Sequence, residues 1–591
     1  MQGIKARWLL PQPMPGGYDA PLKGLSPVVA QILYNRGVTH EEMPTFLSPA
    51  TSGMHAPLLM RGMAEAVRRI RAAIAAGERI AVYGDFDVDG VTGTVLLHQA
   101  LHALGADCTV YVPHRATEGY GLNTGALDRL YADGVRLVVT VDCGISSAVE
   151  VDYARGLGLD VIVTDHHLPP ARLPDAVAIL NPRQPLCTYP FKDLAGVGVA
   201  FKLASALAES IPDGARLRRD VLDLVVVGTV SDMVPLRGEN RVLVRYGLPV
   251  LSHTSRVGLQ ALLRRAGLEH SNLTTAEIGF RVGPRLNAAG RIDHASVGCR
   301  LLMTRDVAEA EELAAALEEK NGERQRLTAS IIAAARERIG PHPTGHALVV
   351  DDDMWPVGVV GLVAGRLAEE YCRPVFVIER DAGADGRGGE SRGSARSVPG
   401  FNVIEALTRC ADLLTKFGGH AGAAGFSLRT ECIAPFRARM EDFAAARLSE
   451  EDLTPSIQLD AEVGGRFFGV EDLRALFEQL AALEPFGVGN QPPVLLWRGL
   501  RVSSCRVVGK DHLRFSFSTP DGTVGGIAFG RVGDVGVLPR GTALDVVCSL
   551  QHNDWNGYLS VELRIKDIAV RGAGRAHEHT PRTSATGASA L

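Results

Sequence analysis

Three aspartates stand at alternate positions directly after an apolar run, in the stretch RIAVYGDFDVDGVTG at residues 79–93. The run has the β-branched character of a buried strand, and Asp85, Asp87 and Asp89 follow it. The Asp-x-Asp-x-Asp-Gly pattern matches the first half of an EF-hand calcium loop. However, Leu96 stands where that loop needs a bidentate Glu, and a strand replaces the preceding helix. The sequence therefore argues against an EF-hand.

Further carboxylates follow other apolar runs in the same part of the chain. Asp142 ends the run LVVTVD, and Asp232 ends DLVVVGTVSD. Asp165 ends DVIVTD and is followed directly by His166 and His167. A solvated acidic turn would explain one such pattern, but the pattern recurs. We predict four strands of one parallel sheet, each ending in a carboxylate at the edge where such sheets form their ligand crevice.

So many carboxylates in one crevice would repel each other by several kcal/mol unless cations neutralised them. Carboxylates with one or two imidazoles and no thiolate suit Mn²⁺ or Mg²⁺. The histidine favours Mn²⁺, and this chemistry does not exclude Zn²⁺. Two such ions about 4 Å apart are a common device for phosphoester hydrolysis. The sequence therefore predicts a site for two divalent ions.

The elements that must position these residues belong to an α/β arrangement. Between residues 78 and 232, short apolar runs alternate with helix-like segments, which is typical of a parallel sheet. Residues 304–339 are almost all helix formers and would span roughly 50 Å as one helix. A second α/β unit follows, with strands ALVVD and PVFVI around a helix at 358–371. After the linker SEEDLTPS, five or so short strands predict a small β-barrel, with an OB-fold favoured.

Composition sets the broad limits. A chain of 591 residues is too long for one ordinary core, and 46% hydrophobic with 22% charged residues is typical of a globular protein. Because we find neither an 18-residue apolar segment nor a signal-peptide core, we expect a cytoplasmic protein. Nine scattered cysteines without a CxxC pair argue against a disulfide framework or a thiolate zinc site. With a net charge of −5, any polyanion site must be a local groove of Arg and Lys.

The motifs GDFDVDG, VDCG, TDHH and VSDMVPL, in this order, closely resemble those of the DHH phosphoesterase superfamily, which is named for the Asp-His-His found here at 165–167. Within that superfamily, the remaining motifs are similar to those of the RecJ family of bacterial single-strand-specific exonucleases. These motifs are VPHRATEGYGLN (112–123), NPRQP (181–185), LAGVGVAFKL (194–203), FRVGPRLNAAGR (280–291), GSARSVPGFNV (393–403) and KFGGHAGAAGF (416–426). Each motif alone has low specificity, whereas the ordered set, over roughly residues 60 to 570, is specific.

The resemblance implies a fold of two α/β lobes, a parallel-sheet DHH domain and a smaller DHHA1 domain, joined by a long helix and followed by an OB-type barrel. The implied divisions are an N-terminal segment (1–55), a DHH catalytic domain (56–255), a connecting helical region (256–340), a DHHA1 substrate-binding domain (341–448), an OB-fold nucleic-acid-binding domain (457–570) and a disordered tail (571–591).

The resemblance also implies roles for the acidic residues. One ion would be held by Asp85, Asp87 and Asp142, and the other by Asp89, Asp142, His166 and Asp232, with Asp142 bridging. His167 would stabilise the scissile phosphate or protonate the leaving oxygen. Asp165 would accept a hydrogen bond that fixes the tautomer and ring orientation of a histidine. Capping of the turn is the structural alternative for Asp85.

Substrate contacts are expected in three places. The arginine-rich stretch 281–300 could line a groove that tracks phosphates, although a solvated face is the structural alternative. The stretch GSARSVPG offers a guanidinium, two hydroxyls and accessible backbone N–H groups to a phosphate. The resemblance implicates this stretch and the Arg of VPHR in seating the 5′ end. His420 is a predicted contact, with a buried, hydrogen-bonded histidine as the alternative. The predicted contacts are Arg115, Arg285, Asn287, Arg291, Ser394, Arg396, Ser397, Gly419 and His420.

The implied activity is that of a metal-dependent, single-stranded-DNA-specific 5′→3′ exonuclease that releases nucleoside 5′-monophosphates in recombination and repair. One alternative is a small-substrate phosphatase of the DHH superfamily, acting on pAp, nano-RNA or pyrophosphate. Another is a non-catalytic nucleic-acid-binding scaffold. The expected partners are the 5′ end of single-stranded DNA, a DNA helicase and a single-strand-binding protein. We expect a monomer and no membrane association.

Overall fold

The computed structural model describes residues 6–18, 24–48, 50, 53–115, 117–209, 211–269, 272–292, 295–381, 383, 388–464, 469–555, 558–571 and 578–579. The chain divides into two compact units. The first unit comprises Pro44–Gln325 and Glu484–Gln491, and the second comprises Met1–Met43, Arg326–Leu483 and Pro492–Leu591. Within the described ranges, no helix is both long enough and apolar enough to cross a membrane.

The N-terminal segment contributes one short strand and two helices. They are β1 (Arg7–Leu9), α1 (Pro27–Asn35) and α2 (Met43–Leu47). Ser26 caps α1, because its hydroxyl accepts a hydrogen bond from the Val28 amide. β1 pairs in parallel with a strand at Ser456–Gln458 and buries Trp8.

The first unit is built around a five-stranded, wholly parallel sheet with the strand order β3-β2-β4-β5-β6. Because β3 and β4 lie on opposite sides of β2, the strand order reverses next to β2, and such a switch point opens a crevice at the carboxyl ends of the strands. The elements are α3 (Met63–Ala76), β2 (Arg79–Gly84), α4 (Val88–Ala103), β3 (Cys108–Tyr111), α5 (Thr124–Ala132), β4 (Val135–Val141), α6 (Ala148–Leu157), β5 (Asp160–Thr164) and β6 (Ala178–Leu180).

Both faces of this sheet are covered, which explains why its central strands are mostly apolar. In β2, Ile80 and Val82 pack into a large core on one face, while Ala81 and Tyr83 pack into a smaller core on the other. The smaller core includes residues of α5 and α6. The strands are therefore fixed rigidly up to their carboxyl ends.

Helices follow the sheet in the first unit. They are α7 (Gly196–Ala208), α8 (Gly214–Asp220), α9 (Leu222–Ser231), α10 (Gly238–Ser252), α11 (Val257–Arg265), α12 (Thr275–Glu277), a π-helical turn (Ile278–Val282), α13 (Gly283–Ile292), α14 (Ser296–Met303) and α15 (Val307–Ile339). The predicted long helix is confirmed by α15, in which the division between the two units falls.

The prediction of a strand over DLVVVGTVSD is wrong, because these residues form α9. Every residue from Asp223 to Thr229 is buried, so α9 is surrounded by core on all its faces. A helix surrounded by core has the same continuous apolar run as a buried strand, and periodicity cannot separate the two.

The second unit holds the predicted smaller α/β lobe. Its sheet has the order β10-β11-β9-β8-β7, in which only β7 and β8 are parallel. The elements are β7 (Leu348–Asp352), α16 (Val357–Tyr371), β8 (Val375–Glu379), β9 (Glu390–Arg396), α17 (Val403–Thr408), β10 (Leu414–His420), β11 (Ala423–Arg429) and α18 (Ile433–Ala445).

The predicted C-terminal barrel is confirmed by a six-stranded sheet in the order β13-β14-β15-β16-β18-β17, which β14 and β17 close by pairing. A separate small sheet has the order β12-β1-β19. The elements are β12 (Ser456–Gln458), β13 (Ala461–Val463), α19 (Val470–Ala481), β14 (Leu495–Val508), β15 (His512–Thr519), β16 (Gly522–Ala528), α20 (Val532–Val535), β17 (Ala543–Trp555), β18 (Tyr558–Val570) and β19 (Glu578–His579). The proposed tail, 571–591, lies almost wholly outside the described residues.

Candidate metal centre and nucleic-acid contacts

The loop after β2 supplies the first three carboxylates. Asp85 is buried at the strand end, and Asp87 caps α4 by accepting a hydrogen bond from the Gly90 amide at 3.1 Å. Asp89 lies in the first turn of α4 and is also buried. Its two oxygens accept hydrogen bonds from the Gly196 and Val197 amides, at 2.6 and 2.8 Å, at the start of α7. A helix N-terminus thus holds the Asp89 carboxylate in one orientation.

Asp142 follows β4 in a left-handed conformation with φ of 62°, which residues other than glycine rarely adopt. Its amide donates to the Thr164 carbonyl at 3.0 Å, so the neighbouring strand β5 fixes the turn. Gly196 lies directly against it, because a Cβ at that position would come within 2.7 Å of the Asp142 carboxylate. Gly196 in the GVGVAF segment is therefore required for close packing against Asp142.

His166 lies close to carboxylates from three different elements. Its Nε2 lies 3.1 Å from Oδ1 of Asp142, 3.7 Å from Oδ2 of Asp232 and 4.0 Å from Oδ2 of Asp89. Asp232 reaches this position from the C-terminal end of α9. The carboxyl ends of three strands and the end of one helix therefore meet at a single point. We call Asp85, Asp87, Asp89, Asp142, His166 and Asp232 the carboxylate cluster.

The carboxylate cluster fits divalent cations. Four of its buried atoms make no hydrogen bond with a described residue, and these atoms are Oδ1 of Asp85, Oδ1 of Asp142, Nε2 of His166 and Oδ2 of Asp232. Among them, Nε2 of His166 and Oδ1 of Asp142 lie close to each other, at 3.1 Å, without forming a hydrogen bond. Buried polar atoms are usually paired, and unpaired ligand atoms that lie as close together as these do can be satisfied together by bound cations. Oxygen donors with one imidazole match the preferences of Mn²⁺ and Mg²⁺.

The pKa values show how poorly the protein alone neutralises these groups. Burial and the charge of Asp87 raise the pKa of Asp89 to about 7. Burial and neighbouring carboxylates also raise the pKa values of Asp85, Asp142 and Asp232. Burial lowers the pKa of His166 to about 3, which leaves a neutral imidazole suited to metal binding. A cation is the natural replacement for the protons that these carboxyls would otherwise hold.

Asp165 differs from its neighbours because it is fully paired. Its Oδ1 accepts from the amides of His166 and His167 and from Nδ1 of His167, and its Oδ2 accepts from the Ile145 amide. Burial would raise the pKa of Asp165, but these hydrogen bonds and the histidine charges outweigh it, so the pKa is lowered. Asp165 is thus hydrogen-bonded to Nδ1 of His167, and its role in orienting that ring stays a prediction.

Tyr120 is a site residue that the sequence reasoning missed. Its hydroxyl lies 3.0 Å from Nδ1 of His167 and donates to the Asp142 carbonyl at 3.2 Å. It therefore ties the loop after β3 to two residues of the site. The available signal was its place between Gly119 and Gly121, because two glycines permit a turn, and both have positive φ in the structure.

A pocket of about 310 Å³ opens beside the carboxylate cluster in the first unit. Arg115 stacks its guanidinium over the ring of Phe86, 4.9 Å from the centroid, and is otherwise exposed. Asn287 accepts a hydrogen bond from the Val88 amide at 3.2 Å. Two of the predicted substrate contacts, Arg115 and Asn287, therefore line the pocket beside the carboxylate cluster. The pocket is lined by Phe86, Asp87, Arg115, Ser231, Asp232, Met233, Asn287 and Gly290.

Arg285 has a different environment. It forms a two-pronged ion pair with Glu318 on α15, at 2.5 and 3.1 Å, and donates to the Arg281 carbonyl. The phosphate contact predicted for Arg285 stays a prediction. In the structure, the Arg285 guanidinium is paired with the Glu318 carboxylate. The side chain of Arg291 lies outside the described part of the chain.

The second unit presents an arginine without an acidic partner. Arg396, at the end of β9, donates to Oγ of Ser394 at 3.0 Å and to the Ala395 carbonyl, and no described carboxylate pairs with it. Burial lowers the pKa of Arg396. Ser397 and Arg396 line a cavity of about 930 Å³ within this unit. A half-buried guanidinium of this kind is well suited to an anion.

The glycine-rich stretch at 416–426 forms the hairpin β10–β11. A Cβ on Gly419 would collide with the Ala423 carbonyl, so the paired strand explains this glycine. His420 is exposed at the hairpin end, and its Nδ1 accepts from the Gly422 amide. In the barrel, Phe515 and Phe517 are buried, whereas the side chains of Trp555 and Tyr558 lie outside the described residues.

Comparison with protein families matches three separate parts of the chain. The DHH family, N-terminal domain, matches residues 79–229, which hold five of the six cluster residues. The DHHA1 domain matches 344–446, and the RecJ OB domain matches 470–567. These matches lie inside the predicted domains, whose exact boundaries stay predictions.

Known relatives extend over nearly the whole chain. The single-stranded-DNA-specific exonuclease RecJ of Bacillus subtilis is 39% identical over 96% of this chain and 72% of its own length. The crystal structure of RecJ from Thermus thermophilus in complex with Mn²⁺ matches with a TM-score of 0.80 at 32% identity, covering 95% of this chain and 79% of that one. The Mg²⁺ complex of the same protein has a TM-score of 0.74 at 31% identity, with 95% and 78% coverage. The order of motifs, the three domains and these relatives agree, and the chain belongs to the RecJ family.

Proposed function

We propose that this protein is a single-stranded-DNA-specific exonuclease that hydrolyses phosphodiesters with divalent metal ions. The observation that carries the proposal is the set of four buried, unpaired ligand atoms of the carboxylate cluster in a chain of the RecJ family. Paired carboxylates would suit a structural network, whereas unpaired ones at the switch point of a parallel sheet suit a catalytic metal site. A scaffold would not need these atoms free.

The geometry supports two ion positions. The ligand atoms of Asp85, Asp87 and Asp142 lie within 4.8 Å of one another, and so do those of Asp89, His166 and Asp232. We assign the first set to one ion and the second to the other, with Asp142 shared by both. Bound there, the ions would lower the pKa of a water and neutralise charge on the phosphate. We expect Mn²⁺ to be favoured and Mg²⁺ to be accepted.

The chain's own residues orient the reacting groups. Asp165 and Tyr120 both contact Nδ1 of His167, which leaves Nε2 of this half-exposed ring for the substrate. Burial would lower the pKa of His167, but the hydrogen bond and charge of Asp165 outweigh it, and the pKa is raised. His167 is therefore suited to donate a proton to a phosphate oxygen or to the leaving oxygen.

The 5′→3′ polarity is proposed from the unpaired arginines. Arg115 in the first unit has a face free beyond Phe86, and Arg396 with Ser394 in the second unit lacks a described acidic partner. Each arginine, within its own unit, is suited to bind a phosphate of the strand. Docking of the 5′-terminal phosphate at a fixed distance from the ions would admit only the first linkage. The products would then be nucleoside 5′-monophosphates.

Other expectations rest on this proposal. We infer a role in DNA recombination and repair, a cytoplasmic location, a monomer, and cooperation with a DNA helicase and a single-strand-binding protein. Among the alternatives, a small-substrate phosphatase would use the same metal site, but that activity would not explain the presence of the C-terminal barrel. A non-catalytic scaffold is disfavoured because every expected ligand is present and brought together.

A direct test uses purified protein, Mn²⁺ and a single-stranded oligonucleotide with a fluorophore near its 3′ end. Matched substrates are a 5′-blocked copy, a blunt duplex, pAp and pyrophosphate. Stepwise shortening of the free single strand alone, abolished by Asp142→Asn and retained by the surface variant Asp107→Asn, is the expected result. Turnover of pAp or pyrophosphate with intact strands would move the assignment to a small-substrate phosphatase.

A further inference from the structure

Glu118 lies in the loop between β3 and α5, which also carries Arg115 and Tyr120. Arg115 lines the pocket beside the carboxylate cluster and is exposed. Its guanidinium rests on the Phe86 ring, a contact that restrains the tip of the side chain but not the backbone that bears it. A long side chain binds a ligand with less loss of entropy when its backbone is held in one place.

Glu118 holds the backbone directly before Arg115. Its Oε2 accepts a hydrogen bond from the His114 amide at 2.7 Å, and its own amide donates to the His114 carbonyl at 2.8 Å. Both backbone groups of His114 are therefore bound to one residue. Because His114 immediately precedes Arg115, these bonds determine where the Arg115 side chain leaves the loop.

The other oxygen of Glu118 is bound to the fixed elements on either side of the loop. Oε1 accepts from the Tyr111 hydroxyl, at 2.6 Å, and from the Arg129 guanidinium. Tyr111 ends β3, and Arg129 lies on α5. The Tyr111 ring stacks on the buried ring of Tyr83 in β2, with the centroids 5.1 Å apart. The carboxylate thus connects the loop to the sheet and to a helix.

An ion pair with Arg129 alone would be an ordinary surface contact. The Arg129 side chain is 57% exposed, and exposed pairs of this kind contribute little to stability. The bond from Glu118 to the His114 amide is a different feature, because it fixes the backbone of the loop. Burial would raise the pKa of Glu118, but the bonds from His114, Tyr111 and Arg129 outweigh it, and the pKa is lowered.

We propose that Glu118 is a positioning residue that orients Arg115 for a phosphate of the bound strand. This inference rests on the proposed function, because it concerns how the same site holds its substrate. Glu118 acts through the loop backbone and does not touch the strand. Tyr120 has a separate anchor, since the Gly121 carbonyl next to it accepts from the Tyr83 hydroxyl at 3.0 Å. The effect of Glu118 should therefore pass through Arg115.

A double-mutant cycle tests this route, with kcat/KM for a 5′-phosphorylated single strand and Mn²⁺ as the measurement. Glu118→Ala and Arg115→Ala should each lower kcat/KM about tenfold, and the double variant should be no slower than Arg115→Ala alone. Glu118→Gln keeps an oxygen that can accept from the His114 amide and should restore most of the rate. The control is Asp152→Ala on α6, which removes a carboxylate paired with two arginines outside the loop.

Thermal unfolding in EDTA shows whether each variant is folded, and Glu118→Asp, which is one methylene shorter, replaces Glu118→Ala in the cycle if the alanine variant does not fold. A loss of about 100-fold in the double variant, or a wild-type rate in Glu118→Ala, would overturn the inference while degradation itself continued. If the wild type degraded no strand, the proposed function would fail. The same cycle on the Kd of the strand in EDTA would then decide on Glu118 alone, and additive losses there would overturn the inference.

Discussion

Two buried acidic sites lie along the same helix, α7, and they are paired in opposite ways. At its N-terminus, α7 holds Asp89 of the carboxylate cluster. Near its middle, Lys202 forms a buried ion pair with Glu239 of α10. The Glu239 carboxylate also accepts from the His55 amide at 2.8 Å and from the Tyr189 hydroxyl at 2.7 Å, so both oxygens are paired.

The difference separates a structural role from a ligand-binding role. Glu239, Lys202 and most of the cluster carboxylates are buried, so burial of charge alone identifies neither site. Around Glu239 the protein supplies every partner, and little is left for a ligand to bind. In the carboxylate cluster, four atoms are left without a described partner. Several unpaired ligand atoms that converge within a few ångströms of one another, rather than charge or burial alone, distinguish the cluster from the paired site.

The largest expected effect is on activity. Asp142→Asn should lower exonuclease activity at least about 1000-fold, because a shared ligand is lost and with it several kcal/mol of charge stabilisation. Asparagine tolerates the left-handed backbone at this position, so the fold is preserved. Single-turnover cleavage of a labelled strand measures the effect beside Asp107→Asn. Activity of Asp142→Asn within tenfold of wild type would contradict the assignment.

Mutation of the paired site at Lys202 and Glu239 should affect the stability of the protein. Glu239→Gln leaves the buried Lys202 ammonium without its counter-charge and should lower the free energy of unfolding by about 3–5 kcal/mol, whereas Asp142→Asn should not destabilise the metal-free protein. Urea unfolding in EDTA compares the two. Replacing both partners, by Lys202→Met with Glu239→Leu, should recover most of the loss. Equal destabilisation by Glu239→Gln and Asp142→Asn would remove the distinction between the sites.

Mn²⁺ should stabilise the folded protein only by binding to the carboxylate cluster. Mn²⁺ at about 100 times its Kd should raise the free energy of unfolding by about 2.7 kcal/mol relative to EDTA, as for any ligand that binds only the folded state. Thermal unfolding should show this gain in wild type and in Glu239→Gln. The gain should be absent in Asp142→Asn. A full Mn²⁺ effect in Asp142→Asn would place the ion elsewhere.

The metal-free protein should lose stability as pH rises. The folded-state pKa values of Asp85, Asp89, Asp142 and Asp232 are raised by burial, so the folded state binds more protons than the unfolded state. The stabilising contribution is complete below about pH 4 and is lost as pH rises through the folded-state pKa, which is about 7 for Asp89. Urea midpoints in EDTA at pH 5 and 7.5 measure this loss. The decline should be smaller in Asp142→Asn and should vanish with excess Mn²⁺; an equal decline in every sample would contradict this origin.

The smallest expected effect concerns orientation. Tyr120→Phe removes the hydroxyl that contacts Nδ1 of His167 and the Asp142 carbonyl, and should lower kcat about fivefold, the effect of one hydrogen bond. The Mn²⁺ stabilisation should remain, because no ligand is lost. Tyr131→Phe on α5 is the matched control. Loss of the Mn²⁺ effect in Tyr120→Phe would instead give the tyrosine a part in metal binding.

Local patterns were sufficient where a side chain is positioned by its own element. Asp85, Asp142 and Asp165 follow strands of a parallel sheet, and the sheet alone brings strand ends together. Asp232 was expected near them for the wrong reason, since it ends a helix buried on all sides. Asp232 was included among the predicted metal ligands correctly only because of the resemblance to the family, since the strand predicted from the apolar pattern was wrong.

Side-chain pairing could not be predicted from such patterns. Arg285 and Arg115 look alike in the sequence, yet one is paired with Glu318 and the other stacks on Phe86 with an exposed face. Asp165 and Asp142 both end strands, yet one is fully hydrogen-bonded and the other keeps an unpaired oxygen. These outcomes depend on groups that are distant in the sequence.

The amino-acid sequence alone predicts the α/β lobes, the barrel, the long helix and the types of ligand atom available to a metal. It can do so because strand ends, helix formers and carboxylates are properties of short segments. Folding in three dimensions decides which donors remain unpaired, since partners such as Asp89 and the Gly196 amide lie 107 residues apart. It also decides that a buried helix, α9, brings Asp232 to His166. Such contacts arise from close packing of distant segments, and no local period records them.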